Sequence, residues 1–147
     1  MLTLRKSPVS QKDFFAKLGA PVANSRQGWG SIRPSDGAVF LRVWQDEVQM
    51  QDGRRLVQVT HHDPHQMDVK NSGDRERLQH LERVREGAAC YLVMCQATDV
   101  NAVPRVVKQF NEQEVFLAGG VVDLDRDSWI ELGTRVPIRQ AIPPKRP

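Results

Sequence analysis

Two tryptophans and the polar residues beside them lie in one stretch, Asn24 to Glu47, whose residue types suit a flat ligand. Trp29 stands between two glycines, so backbone or a ligand can approach its ring closely. Trp44 ends an apolar segment and is followed by the polar run Gln45 to Glu47. A pocket for a planar, hydrogen-bonding molecule needs amide and carboxylate groups beside an aromatic ring. The stretch therefore predicts a binding site.

The same residues have a plainer interpretation. Most tryptophans in small domains serve packing first, which would place Trp29 and Trp44 in the core. Asp46 and Glu47 would then be the solvated start of a turn that runs to Gly53. The sequence alone does not separate a pocket from packing, and both interpretations stay open.

The histidines are a second candidate for chemistry. His61, His62 and His65 lie in one polar segment, and His80 follows on a predicted helix. These are residue types with which a metal-dependent nuclease or hydrolase holds an ion and activates water. Their spacing matches no HExxH motif, zinc-binding cysteine pair or HNH arrangement. A polar loop and a histidine on a surface helix are therefore favoured, and we predict no metal and no cofactor.

Signatures of nucleotide binding and of serine hydrolases are absent from the sequence. It contains no GxxxxGK[ST] motif and no GxSxG motif, and Gly28-Trp29-Gly30 lacks the third glycine of a dinucleotide fingerprint. Neither cysteine lies in a motif typical of a nucleophile. Phosphoryl transfer is not indicated, and we expect the chain to bind a ligand without catalysis.

Length and composition indicate one globular domain. The chain has 147 residues, of which 39% are hydrophobic and 27% charged. No apolar run approaches the roughly 20 residues needed to span a bilayer, so no membrane partner is expected. We predict a single domain over residues 1–142 and a loose, proline-rich tail over 143–147. The N-terminus lacks the features of a secretory signal, and Cys90 and Cys95 are expected to be free, buried thiols, so the predicted location is cytoplasmic.

The charge balance favours anionic partners only weakly. The net charge is +3, from 21 basic and 18 acidic residues, and the sequence pI is about 9.1. Basic residues are denser near both ends of the chain. This excess is too small to indicate nucleic-acid binding unless a specific site supports it.

Two helices are expected to support the candidate sites. Ser10 to Leu18 begins with a capping serine and is followed by Gly19 as a stop signal. Asp74 to Glu86, with Ser72 or Asp74 at its start, places Leu78, Leu81 and Val84 on one side, while its arginines and glutamates are expected to form a solvated face.

Six or seven short strands complete the pattern. Val39 to Trp44 and Leu56 to Thr60 are expected to form an antiparallel hairpin, and Ala88 to Ala97 to form a central strand buried on both faces. Gly119 and Gly120, inside a later strand, predict a bulge or a bend. Because strands and helices do not alternate regularly, we predict an α+β fold: a small, mostly antiparallel curled sheet or barrel with two packed helices.

Four segments of the sequence resemble a bacterial module that precedes the nuclease domain in HNH-type, modification-dependent restriction proteins. They are LGAPVANSRQGWG, VFLRVWQDE, DRERLQHLERVREGAACYLVMCQATD and PRVVKQF, and the resemblance is expected to extend over most of the chain. The expected strand order, curl and N-terminal helix also resemble the PUA-like superfamily, which includes the SRA, EVE and YTH modules. Those modules receive a base, often a modified one, in a cage of aromatic rings after it leaves the stack.

Carried over residue by residue, the resemblance assigns two groups of contacts. The implied base-binding residues, with the tryptophans in the cage wall, are Asn24, Ser25, Trp29, Trp44 and Asp46. Arg33 and Arg42 become candidate phosphate contacts. Because no nuclease signature follows these segments, the resemblance implies a free-standing reader, or one that depends on a separate nuclease partner.

The leading hypothesis is a non-catalytic nucleic-acid-binding module that recognises a flipped base, with DNA favoured over RNA. The first alternative is a small metal-dependent nuclease or hydrolase that uses the histidine cluster. The second is a protein-protein interaction module of phage or mobile-element origin. Metal binding would favour the first alternative, and a protein complex that is insensitive to salt would favour the second.

Overall fold

The computed structural model describes residues 10–21, 30–60, 72–101, 107–124 and 127–142. Within these residues the chain forms three α-helices, one short 3₁₀ helix and eight strands. The helices are α1 (Gln11–Lys17), α2 (Ser72–Arg85) and α3 (Ile138–Ala141), and the 3₁₀ helix is Gln45–Glu47. The strands are β1 (Gly30–Ile32), β2 (Val39–Trp44), β3 (Val48–Gln51), β4 (Arg54–Gln58), β5 (Cys90–Ala97), β6 (Val107–Phe110), β7 (Glu114–Leu124) and β8 (Asp127–Pro137).

All eight strands belong to one mostly antiparallel sheet. Its order is β1-β2-β5-β7-β8-β4-β3, and β6 pairs with β5 beside this path. Within the described residues, β2 and β5 form the parallel pair, in register from Val39 opposite Cys90 to Trp44 opposite Cys95. The predicted α+β class, the mostly antiparallel sheet and the central position of β5 are confirmed, while the short helix α3 was not predicted.

The predicted hairpin between the second and fourth strands is wrong. β2 pairs with β1 and β5, whereas β4 pairs with β3 and β8. Asp52 and Gly53 form a two-residue turn with positive φ at both positions, 51° and 79°. This turn joins β3 to β4. Strand β3 was not predicted, because most of its side chains are exposed and its sequence does not alternate between apolar and polar residues.

The predicted irregularity around Gly119 and Gly120 is confirmed. The pairing of β7 with β8 shifts register between Phe116 and Ala118 and again between Ala118 and Val121. At Gly119 an added Cβ would lie 2.7 Å from a carboxylate oxygen of Glu131 on the neighbouring strand. Glycine therefore permits the close approach of the two strands at this bulge.

Apolar side chains fill both faces of the sheet. On one face, α1 contributes Phe14 and Phe15 to a cluster with Trp44 and Cys95. On the other face, Leu81 of α2 joins buried residues from five strands, which are Val39, Leu41, Val43, Val57, Cys90, Leu92, Phe116, Ile130 and Leu132. The two cysteines are free and buried, as predicted, and they lie in different clusters because they point to opposite faces of β5.

The predicted apolar side of α2 is confirmed at Leu81 and Val84, which pack on the sheet, but not at Leu78. Leu78 is 44% exposed, whereas Arg77 and His80 are 6% exposed and lie beside Leu81 in the interior. The helix begins at Ser72, one of the two predicted starts, and ends near the last residues of β7, where Arg85 contacts Asp123 at 2.8 Å. It therefore packs on the face of the sheet that holds the Leu81 cluster. Within the described residues, no helix is both long and apolar enough to cross a membrane.

Candidate ligand-binding pocket

A pocket of about 510 Å³ lies at the end of the sheet away from the C-terminus of α2. Arg85 of α2 contacts the final residues of β7, whereas the pocket is lined by Phe116, near the start of the same strand. The lining also includes Gln45, directly after β2, and Gln96, near the end of β5. This volume falls within the range of about 300–1,000 Å³ that is typical of small-molecule sites.

Three glutamines form a continuous chain of side-chain hydrogen bonds along the pocket. The Nε2 atom of Gln96 donates to Oε1 of Gln45, and Nε2 of Gln109 donates to Oε1 of Gln96. The chain follows from the fold, because Gln96 of β5 is directly opposite Gln109 of β6, and Gln45 begins the 3₁₀ helix after β2. Amides linked in this way offer both donors and acceptors to a ligand with hydrogen-bonding edges.

Aromatic and apolar side chains supply the rest of the pocket wall. Phe116 is 5% exposed, and the half-buried Met94 of β5 lies on the same face of the sheet. Phe110 also lines the pocket, but its ring packs edge-on against Phe14 on the α1 face of the sheet, with 5.0 Å between the ring centroids. The pocket thus combines one fixed aromatic ring, that of Phe116, with amides, which suits a planar, polar ligand.

Two arginines line the pocket. Arg55, on β4, is exposed. The Arg135 guanidinium lies 5.4 Å from the centroid of the Phe116 ring, and its Nη1 lies 3.7 Å from a carboxylate oxygen of Glu114. Its side chain is 62% exposed. Both cations are accessible to an anionic group of a ligand bound in the pocket.

The predicted base contact Trp44 lies in the core, where it is 4% exposed and packs with α1 and β5. This position agrees with the plainer interpretation of the sequence, in which Trp44 is a packing residue of the core. Asp46 is exposed in the 3₁₀ helix, next to Gln45. Of the polar run after Trp44, Gln45 thus lines the pocket, whereas the ring of Trp44 is buried.

Arg33, predicted to contact phosphate, has an internal structural role instead. It is 4% exposed, and its Nη1 donates to the backbone carbonyl oxygens of Leu18, at 3.0 Å, and Ala141. Its Nε and Nη2 donate to the two carboxylate oxygens of Asp36, both at 2.9 Å, and this interaction lowers the pKa of Asp36. With its guanidinium occupied by partners within the fold, Arg33 does not present a surface for phosphate.

The second predicted phosphate contact, Arg42, is half-buried on the α1 side of β2. Its Nη1 donates to Oε1 of Gln11 in α1. Burial lowers the pKa of Arg42, and the nearby carboxylate of Glu76 opposes this shift. Arg42 is therefore built into the contact between α1 and the sheet and is not among the residues that line the pocket.

Several predicted residues lie outside the described part of the chain. Asn24, Ser25 and Trp29 precede Gly30, the first described residue after that gap. The three clustered histidines, His61, His62 and His65, also lie outside it. Their predicted roles stay predictions.

His80 lies in the interior, although it was predicted to be a surface residue. A Cβ added at Gly30 would lie 3.2 Å from its Nδ1, so glycine leaves room for the imidazole. Burial, followed by the charge of Arg77, lowers the pKa of His80 to about 4. Among the described residues no group of three or more histidine, cysteine, aspartate or glutamate side chains is placed to hold a metal ion.

Sequence reasoning found Gln45 but missed most of the pocket. Gln96, Gln109, Phe110 and Phe116 come from strands whose pairing was not predicted. A weak signal existed, because Gln45 and Gln96 each follow an apolar strand segment, VFLRVW and CYLVMC. Only the register of β5 with β6 shows that these amides lie together.

Comparisons of the chain with protein-family models, with curated proteins and with solved structures find no match in any of the three.

Proposed function

We propose that this chain is a non-catalytic nucleic-acid-binding module that holds an unstacked base in the glutamine-lined pocket. One observation carries the proposal: a chain of three linked amides lies in the same pocket of about 510 Å³ as the aromatic residue Phe116. A base offers the matching surfaces, with two flat faces and an edge of donors and acceptors. DNA is the favoured nucleic acid.

The energetics of base recognition fit this pocket. Stacking a base on an aromatic side chain is worth roughly 1 to 3 kcal/mol. Phe116 is held by packing, so little side-chain entropy is lost when a ligand binds. The amides of Gln45, Gln96 and Gln109 offer both donors and acceptors to the edge of a base.

The charge around the pocket favours a nucleotide within a strand over a free base. Arg55 and Arg135 line the pocket and replace Arg33 and Arg42 as the proposed phosphate contacts. The chain carries a net charge of +3, which adds a weak attraction for a polyanion. Asn24, Ser25 and Trp29 stay predicted base contacts.

The PUA-like resemblance extends the proposal to a curled, barrel-like sheet. Two features support the curl. Gly119 lies at a register shift between β7 and β8. The guanidinium of Arg77 donates hydrogen bonds to the carbonyl oxygens of Arg42 and Val59. These bonds show that β2 lies close to the chain after β4, although β2 and β4 do not pair. The same resemblance proposes that the base is a modified one and that a separate nuclease acts as a partner.

The test is binding of dye-labelled oligonucleotides followed by fluorescence anisotropy. Single-stranded and duplex oligonucleotides, with and without a modified central base, are titrated with the wild-type chain and with Gln96→Met and Gln109→Met. We expect each substitution to weaken binding about tenfold, since each removes amide contacts while keeping side-chain length.

The matched control is Gln79→Met, which makes the same change at an exposed position on α2. It should bind as the wild-type chain does. The proposal fails if the wild-type chain binds no oligonucleotide, or if the two pocket variants and the control bind equally well.

A further inference from the structure

The side-chain amide of Asn111 has a fixed orientation at the edge of the pocket. Asn111 lies between β6 and β7 and lines the pocket, and its backbone N–H donates to the carbonyl oxygen of Met94 at 3.0 Å. Its Oδ1 accepts from the backbone N–H groups of Gln113, at 2.9 Å, and Glu114, at 3.0 Å. Because both partners are donors, the atom facing them must be the oxygen. The Nδ2 group, with two hydrogens to donate, is the part of this amide left for a ligand.

The other polar groups of the pocket do not reverse this preference. Arg55 and Arg135 can only donate hydrogen bonds. The glutamine chain can run in either sense if all three amides turn over together, so it adapts to donors or acceptors. The carboxylate of Glu112 also lines the pocket, but Glu112 is already engaged by another group of the chain.

We infer that Asn111 is a specificity-determining residue that selects a base with a carbonyl group at position 4 of a pyrimidine or position 6 of a purine. Its Nδ2 donates to that oxygen, which is O4 of uracil or thymine and O6 of guanine. Cytosine and adenine carry an amino group at the same place, which would face Nδ2 with a second donor. This inference rests on the proposed function, because it concerns the base held in the glutamine-lined pocket.

Replacing Asn111 by aspartate tests the role of the Nδ2 group separately from that of Oδ1. In Asn111→Asp one carboxylate oxygen still accepts from Gln113 and Glu114, so the turn between β6 and β7 is kept. The other oxygen replaces Nδ2 and turns a donor into an acceptor. The substitution therefore changes the hydrogen-bonding sense at one point of the pocket and leaves the fold in place.

The experiment measures the affinity of the full chain for single-stranded oligonucleotides that differ only in one central base. Uracil is compared with cytosine, and guanine with adenine. For the wild-type chain we expect about tenfold tighter binding of uracil than of cytosine, and of guanine than of adenine. Asn111→Asp should lose this preference or reverse it. The control Asn101→Asp, at an exposed position that does not line the pocket, should keep the wild-type preference.

The outcomes separate the inference from the proposed function. If the wild-type chain binds none of the four oligonucleotides, the proposed function itself fails. If it binds them with equal affinity, or if Asn111→Asp keeps the wild-type preference, the inference about Asn111 is overturned while the proposed function stands.

A measurement on the wild-type chain makes the test independent of the variants. The Asn111 side-chain NH₂ resonances in a ¹⁵N correlation spectrum should shift when a uracil-containing oligonucleotide binds. The corresponding resonances of Asn101 should stay in place. Unchanged Asn111 resonances at saturating ligand would overturn the inference.

Discussion

The Arg77 guanidinium donates through Nη2 to the backbone carbonyl oxygen of Arg42, over 2.7 Å. Through Nη1 it also donates to the carbonyl oxygen of Val59, over 3.4 Å. One side chain of α2 thereby joins β2 to the residue after β4, two parts of the sheet that do not pair directly. Burial, and then the charge of Arg42, lowers the pKa of Arg77 to about 10, so it stays a cation at neutral pH. Arg77 is therefore a buried cation whose hydrogen bonds hold α2, β2 and the chain after β4 together.

Replacing Arg77 by methionine should destabilise the fold by about 2 to 4 kcal/mol, because the carbonyl groups of Arg42 and Val59 lose a charged donor inside the protein. Methionine keeps much of the side-chain volume, so the effect reports the lost hydrogen bonds more than a cavity. Urea denaturation of both chains gives the difference in unfolding free energy. Arg83→Met, on the exposed side of the same helix, should change it by less than about 0.5 kcal/mol. Equal losses of unfolding free energy in the two variants would contradict this role of Arg77.

Arg77 also shows where sequence reasoning reached its limit. The alternation of arginine and glutamate along α2 predicted a solvated face, because charged side chains are seldom buried without partners. The partners here are backbone carbonyl oxygens at Arg42 and Val59, which no pattern of side chains reveals. The helix and the burial of Leu81 were therefore predicted correctly, whereas the burial of Arg77 was not.

The pocket was predictable only in part, for a related reason. The polar residues after Trp44 were identified, and Gln45 does line the pocket. Its neighbours Gln96 and Gln109 are 13 residues apart in sequence and meet through the pairing of β5 with β6. Strand pairing depends on the whole sheet, and a shift of one residue would turn these amides to the other face. Local patterns do not fix that register.

The buried imidazole of His80 should make stability depend on pH. Burial and the nearby Arg77 lower its pKa to about 4, against a value near 6.5 in an unfolded chain. Between these two values the unfolded chain binds more protons than the folded one, so unfolding becomes easier as the pH falls. Above pH 6.5 the buried neutral imidazole costs no stability. By about pH 4 the free energy of unfolding is lower by roughly 3 kcal/mol.

Unfolding free energies at pH 7 and pH 4.5, for the wild-type chain and for His80→Gln, isolate this effect. Glutamine does not titrate, so the variant should lose less stability than the wild-type chain between the two pH values. Asp36 and Asp123, whose pKa values are lowered by Arg33 and Arg85, contribute to both chains and cancel in the comparison. The same pH dependence in the two chains would show that His80 is not buried in its neutral form.

The arginines that line the pocket predict how nucleic-acid binding depends on salt. If Arg55 and Arg135 each neutralise a phosphate, binding releases counterions there, and the logarithm of the affinity falls with the logarithm of the salt concentration. Arg55→Gln and Arg135→Gln should each reduce the size of that slope by about 0.7 on single strands or 0.9 on duplex. Anisotropy titrations at four or more salt concentrations give the slopes.

The control for this prediction is Arg139→Gln, which removes an exposed charge from α3 without touching the pocket lining. It should leave the slope unchanged, while base preference at fixed salt should survive in both pocket variants, because phosphate contacts carry no sequence information. An equal change of slope in all three variants would mean that the net charge of the chain attracts the strand, with no defined phosphate contact at the pocket. An altered base preference in Arg135→Gln would instead assign its guanidinium, 5.4 Å from the centroid of the Phe116 ring, to the base.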